Sequence, residues 1–219
     1  MNKKKFTFVD LFSGVGGFRI PLEKLGGTCV AYSEIDKNAI EVYKNNFKTS
    51  DENFLDDITS VKTVPKSDLI VGGVPCQAWS VAGKKKGFDD PRGKLWEDTI
   101  RVVKKSKPKA FIFENVKGLY DPRNKASLNL IISEFRKCNY EVYHKVLNAF
   151  DFGLPQNRDR LFIIGIRKDI KSDFNFPLPT RNTKTLAKII DGLDINPNHL
   201  NKKKFIPTNL FGEKIPFSR

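Results

Sequence analysis

At 219 residues, 39% of them hydrophobic and 18 of them Phe, the chain holds enough apolar material for one substantial core, which excludes a disordered polypeptide and leaves little room for two full domains. Its 39 Lys and Arg against 25 Asp and Glu give a formal charge of +14, a field that favours a polyanionic partner, nucleic acid first. The three cysteines, Cys29, Cys76 and Cys138, are widely spaced without a C-x-x-C pair, which excludes a disulfide framework and a structural zinc site. In the basic start MNKKKFTFVDLF, Asp10 interrupts the apolar stretch, so it does not read as a secretion signal. No apolar run approaches the roughly 18 residues of a bilayer span. A soluble, cytoplasmic protein without membrane or metal is expected.

In chain order, a strand is predicted at 6–12 (FTFVDLF), a glycine-rich turn and helix to residue 25, a strand at 28–34 (TCVAYSE) and a helix over 36–46. A strand at 67–73 (SDLIVGG), a helix over 94–105, a strand at 110–115 (AFIFEN) and a helix over 127–137 follow. Two last strands, 140–148 and 160–167, are joined by a loop without a helix. Strands spaced by helical segments indicate βαβ units and a mainly parallel α/β sheet covered on both faces, here with an antiparallel hairpin at one edge. From about Phe174 the pattern is lost to Pro-punctuated and Lys-rich sequence, with one short helix candidate, TLAKIIDGL.

Open α/β sheets bind ligands outside the carboxyl ends of their strands. Residues 10–17, Glu34 with Asp36, Pro75 to Gln77, and Glu114 with Asn115 all fall at such ends. In DLFSGVGGF, Gly14, Gly16 and Gly17 allow close backbone approach and positive φ. The turn departs from the dinucleotide G-x-G-x-x-G at Arg19, which weighs against a nicotinamide enzyme. Glu34, after the second strand, suits the ribose hydroxyls of a nucleoside-containing cofactor.

Cys76 follows Pro75 at a strand end, and Gln77, Trp79 and Ser80 do not continue the apolar run. Such a thiol becomes a nucleophile when neighbouring positive charge, such as Arg158 or Arg160, lowers its pKa from about 8.5. A zinc base deaminase is disfavoured because Trp79 stands where its second Cys belongs. A papain-type pair has only His144, in a strand-like run, and His199 to draw on.

The blocks DLFSGVGGF, EID, GGVPCQAWSVAGKKKGFDDPRG, FENV and LPQNRDRLFIIGIR, in this order, resemble the DNA cytosine-5 methyltransferases over nearly all of residues 6–180. The resemblance implies a Rossmann-like S-adenosylmethionine-dependent methyltransferase fold. It implies Cys76 as the nucleophile in the Pro-Cys-Gln block with Gln77, Glu114 at the pyrimidine N3 edge, Arg160 supporting it and Arg158 near the reacting face. For S-adenosylmethionine it implies Phe12, Ser13, Gly14, Gly16 and Gly17 around the methionine and ribose, and Glu34 on the ribose. Ile35, Asp57 and Ile58 belong at the adenine, with Pro75 and Leu95 closing the pocket. Ser80, Lys84, Lys85, Lys86 and Arg92, in the Gly- and Lys-rich loop, become contacts to double-stranded DNA whose cytosine is flipped out.

Members of this family continue into a target-recognition region. Residues 1–180 are therefore expected to form the catalytic domain and 181–219 a connector toward such a region, with three readings open: a separate C-terminal subunit supplies it, the chain is a truncated or disrupted form, or the chain is an excised piece. The alternatives are a tRNA-acting member of the family, which shares the Pro-Cys-Gln chemistry, and an inactive fragment that only binds nucleic acid.

Overall fold

The computed structural model describes residues 5–50, 52–75 and 94–180; the proposed connector over 181–219 lies outside them. In order, the elements are β1 (Phe6–Leu11), α1 (Arg19–Lys24), β2 (Gly27–Ser33), α2 (Lys37–Asn46), β3 (Asn53–Phe54), β4 (Leu69–Gly73), α3 (Leu95–Ser106), β5 (Ala110–Val116), α4 (Lys125–Lys137), β6 (Tyr140–Asn148) and β7 (Asp159–Arg167). They build one seven-stranded sheet in the order β3-β2-β1-β4-β5-β7-β6. β1 to β5 pair in parallel, and β7 runs antiparallel between β5 and β6. The expected hairpin therefore sits at one edge, with β6 outermost. Its exposed Glu141, His144 and Lys145 suit an edge strand, where charge discourages further pairing.

The central strands are buried on both faces. On one face Val9, Leu11, Ile70, Phe111 and Phe113 pack under Trp96, Val102 and Val103 of α3 and Ile131, Ile132 and Phe135 of α4. On the other, Phe8, Cys29, Tyr32 and Val71 pack under Leu22 of α1 and Tyr43 of α2. Each large apolar side chain so buried contributes about 1.5–3 kcal/mol. The Phe111 ring, 4.3 Å from that of Phe135, explains Gly165 opposite it on β7: a Cβ there would lie 2.1 Å from Phe111 Cε1. Among the described residues no helix is long and apolar enough to cross a membrane.

The element boundaries follow local chemistry. Asp36 ends the extended run after β2 and caps α2, its Oδ1 accepting from the Asn38 and Ala39 amides at 2.9 and 3.0 Å. α1 starts at Arg19, later than its pattern suggests, because Gly14 and Gly16 hold φ of +53° and +93° and keep the chain out of the helical basin. Strand order reverses between β1 and β4, and the crevice this opens at their carboxyl ends is the expected ligand position.

Candidate active site

The turn after β1 is held in an unusual conformation. Phe12 itself has φ of +52°, rare for a bulky residue and sustained only where the surroundings dictate it. The Ser13 amide donates to Ser33 O at 2.9 Å, tying the turn to the end of β2. Gly14 donates its amide to Glu34 Oε2 at 2.8 Å, while Glu34 Oε1 accepts from the Ile35 and Asp36 amides at 2.8 and 3.0 Å. Gly16 is required twice over, by its φ and because a Cβ would fall 2.2 Å from Phe47 Cε2. Gly17 differs from the expectation for the turn: its φ is not positive and the space around its α-carbon is open.

Beside this turn lies a cavity of about 170 Å³, lined by Phe12, Ser33, Glu34, Ile35, Asp57, Ile58, Gly73, Pro75 and Leu95. Phe12, Glu34, Ile35, Asp57, Ile58, Pro75 and Leu95 were all expected at a cofactor; Ser13, Gly14, Gly16 and Gly17 form the turn beside it and not its wall. Ser33 and Gly73 are additions that sequence reasoning missed, although each is the last residue of its strand and the strand-end rule points to them. The Ser33 hydroxyl is committed to Asp56 O at 2.6 Å, and Asp57 Oδ1 accepts from the Thr59 amide at 2.9 Å.

This wall fits the nucleoside end of a cofactor. Apolar faces from Phe12, Ile35, Ile58, Pro75 and Leu95 suit a purine. A carboxylate offers about four lone-pair sites, of which Glu34 uses three on backbone amides, fixing its orientation and leaving Oε2 able to accept one more hydrogen bond. Buried Ser13 Oγ, in the turn, has no hydrogen-bond partner among the described residues and is a polar group beside the cavity. The volume is below the roughly 300 Å³ at which whole small-molecule pockets begin, so a larger cofactor extends beyond it.

Across Gly73 from this cavity stands Glu114: a Cβ at Gly73 would be 3.5 Å from Glu114 Oε2. β5 and β7 set the partner, since Val116 pairs with Arg160 in register and brings the guanidinium onto the strand end. Arg160 Nε lies 2.5 Å from Glu114 Oε1, with each side chain about a quarter exposed, so the pair is fixed yet reachable. Arg160 Nη1 also donates to Asp159 O at 2.8 Å. Asn115, 1% exposed, donates from Nδ2 to Val74 O at 3.0 Å and accepts the Val116 amide on Oδ1 at 2.9 Å, fastening the end of β5 to the segment entering Pro75. Arg158 is exposed on the β6–β7 turn, where its backbone is held by Asn148 Oδ1 and the Ala149 amide, and the described residues do not join its side chain to Glu114.

Cys76, Gln77, Ser80, Lys84, Lys85, Lys86 and Arg92 lie outside the described residues. The other two thiols are poor nucleophiles. Burial pushes Cys29 up to about 12, and burial likewise raises Cys138 above its ordinary value.

A seven-stranded sheet with one inserted antiparallel strand, a glycine turn after β1 and a carboxylate after β2 define an α/β methyltransferase. The chain belongs to the C-5 cytosine-specific DNA methylases, whose family model matches residues 6–215. It is 52% identical over 215 residues to the Type II methyltransferase M.HgiBI of Herpetosiphon aurantiacus, covering 97% of this chain and 49% of that protein. Over 206 residues it is 40% identical to the Type II methyltransferase M.HhaI of Haemophilus parahaemolyticus, covering 92% and 62%. Among solved structures, a putative DNA modification methyltransferase from an Escherichia coli prophage superposes with a TM-score of 0.71 at 28% identity, covering 85% of this chain and 55% of the other. A Spodoptera frugiperda DNMT2 variant gives 0.62 at 27% identity, covering 82% and 56%. The chain spans about half the length of the first of these curated relatives.

Proposed function

We propose that this chain carries the catalytic and cofactor-binding part of a DNA (cytosine-5)-methyltransferase of the restriction-modification type. The observation that carries the reading is the adjacency of two sites at Gly73: it lines the cavity that holds Glu34 among apolar walls, and it lies beside the Glu114–Arg160 pair. Such an arrangement serves a reaction in which a cofactor and a polar heterocycle meet.

Bound S-adenosylmethionine supplies an electrophilic methyl group on a sulfonium. Glu34 would hold the ribose, the apolar wall would take the adenine, and Asp57 would offer a polar group near the purine edge. C5 of cytosine is weakly nucleophilic, so the Cys76 thiolate adds to C6, forming an S–C6 bond and pushing electron density toward C5 and N3. Glu114, oriented by Arg160, stabilises the charge developing at N3 and the exocyclic amine. The methyl group that the cofactor would supply would end on C5, its former S–CH3 pair staying on the cofactor sulfur to leave S-adenosylhomocysteine; a water then accepts the C5 proton as the S–C6 electron pair returns to Cys76, restoring the ring double bond and the free thiolate. The base must leave the duplex for both faces to be reached, and Ser80, Lys84, Lys85, Lys86 and Arg92 are assigned to holding the DNA around it.

Residues 1–180 form the catalytic domain in this reading and 181–219 lead toward a target-recognition region, joined to this stretch or supplied by a separate subunit. The test is transfer of labelled methyl from S-adenosylmethionine to duplex DNA by this chain mixed with the C-terminal region of a relative. The expected product is 5-methylcytosine, lost in Cys76→Ser. Label in transfer RNA alone would reassign the substrate, and no label in either would overturn the reading.

A further inference from the structure

α1 spans six residues, contains Pro21 and lacks a side-chain N-cap, so it has neither the length nor the capping to stand alone. It nevertheless fixes the far end of the glycine turn, because the Ile20 amide donates to Gly16 O at 3.1 Å. Arg19 is what anchors it. The side chain is buried, and all five of its N–H groups are used. Nη1 and Nη2 reach Glu52 Oε2 and Oε1 at 2.8 and 2.6 Å, Nε reaches Glu23 Oε1 at 2.7 Å, and Tyr43 Oη and Lys48 O accept at 3.3 Å each. The guanidinium carbon also lies 4.4 Å from the centre of the Phe47 ring, the ring that closes against Gly16.

The turn therefore has both ends clamped, by Glu34 at Gly14 and by Arg19 and Phe47 at Gly16. Its positive-φ residues, Phe12 among them, persist only where the surroundings over-determine them. None of Arg19, Glu52 or Phe47 lines the cavity. We propose that the Arg19–Glu52 clamp is a positioning device for the cofactor, holding the glycine turn in its binding shape from outside the site; this rests on the cofactor reading above. A lysine cannot replace the fork, having three donors on a point charge.

The test is titration calorimetry of S-adenosylhomocysteine with the full chain and with Arg19→Lys and Glu52→Gln, at a temperature where circular dichroism shows each folded. A control, Phe135→Leu, loses stability in the distant α4 layer. Both clamp variants are expected to weaken binding about tenfold, as follows when one turn in ten stays competent. Amide exchange at residues 13–17 should quicken while β5 keeps its protection, and Phe135→Leu should bind as the wild type does. Wild-type affinity in the folded variants, or equal weakening in the control, overturns the proposal alone. A wild-type chain that binds no S-adenosylhomocysteine overturns the cofactor reading and the proposal with it. Should Arg19→Lys fail to fold, Glu52→Gln decides.

Discussion

Replacing Asn115 by Leu asks whether the end of β5 fixes the segment that leads into Cys76, the proposed nucleophile. Leu has similar volume but no polar atoms, so Val74 O and the Val116 amide both lose their partner. Val74 is 2% exposed and no water reaches it readily, whereas Val116 is only partly buried. A buried group left without a partner costs about 1–3 kcal/mol, so one full and one partial loss amount to about 2–4 kcal/mol. For a domain of this size the thermal midpoint falls by about 2–4 °C per kcal/mol, a drop on the order of 10 °C. Freed from Val74, the chain entering Pro75 is no longer held to the end of β5, and in the proposed reaction a misplacement of the nucleophile by about 1 Å costs roughly a hundredfold in rate. Urea unfolding measures the first effect, and covalent trapping on fluorocytosine DNA, normalised to folded protein, measures the second. A variant within about 0.5 kcal/mol of wild type that traps DNA at the wild-type rate would refute the reasoning.

Gly16→Ala should destabilise by about 2–4 kcal/mol, from its left-handed backbone and the overpacking against Phe47, while Gly17→Ala should change stability by less than about 0.5 kcal/mol; equal effects in thermal denaturation would contradict this. Asp10→Asn should gain on wild type as pH rises. Burial pushes the Asp10 carboxyl well above its ordinary 3.8, an effect Tyr43 and Arg19 only partly oppose, so its contribution to stability is full below about pH 4 and declines as pH climbs toward the raised value. Urea unfolding between pH 4 and pH 8 checks it, and a difference independent of pH would count against it. Alkylation at neutral pH should fall on Cys76, because Cys29 is held protonated to about 12 and Cys138 is raised; mass mapping that finds Cys29 or Cys138 modified first would refute the assignment.

β1, β5, β6 and β7 were legible because runs such as AFIFEN and YEVYHKVLN combine β-branched and aromatic residues between clear turns, and Glu34, Pro75 and Glu114 were legible because they end such runs. β3 was not: Asn53 and Phe54 are both exposed, pair only with Ala31 and Tyr32, and make no periodic pattern. The hairpin was visible, but which of its strands joins β5 is decided by Gly165 lying against Phe111, a contact between residues distant in sequence. The same holds for Arg19 with Glu52, 33 residues apart, and Asn115 with Val74, 41 apart. Polar pairs of that separation follow from the packing of α1 and β5 and carry no local spacing rule.

In the proposed reaction a thiolate at residue 76 bonds to a cytosine held beside Glu114. Its most direct test is to incubate this chain, S-adenosylmethionine and the C-terminal region of a relative with duplex DNA carrying 5-fluorocytosine in place of cytosine, then map the cross-linked peptide by mass spectrometry. A single adduct at Cys76, absent from Cys76→Ser, is predicted. An adduct at Cys29 or Cys138, undiminished methyl transfer by Cys76→Ser, or no adduct from a mixture that binds both DNA and cofactor would contradict it.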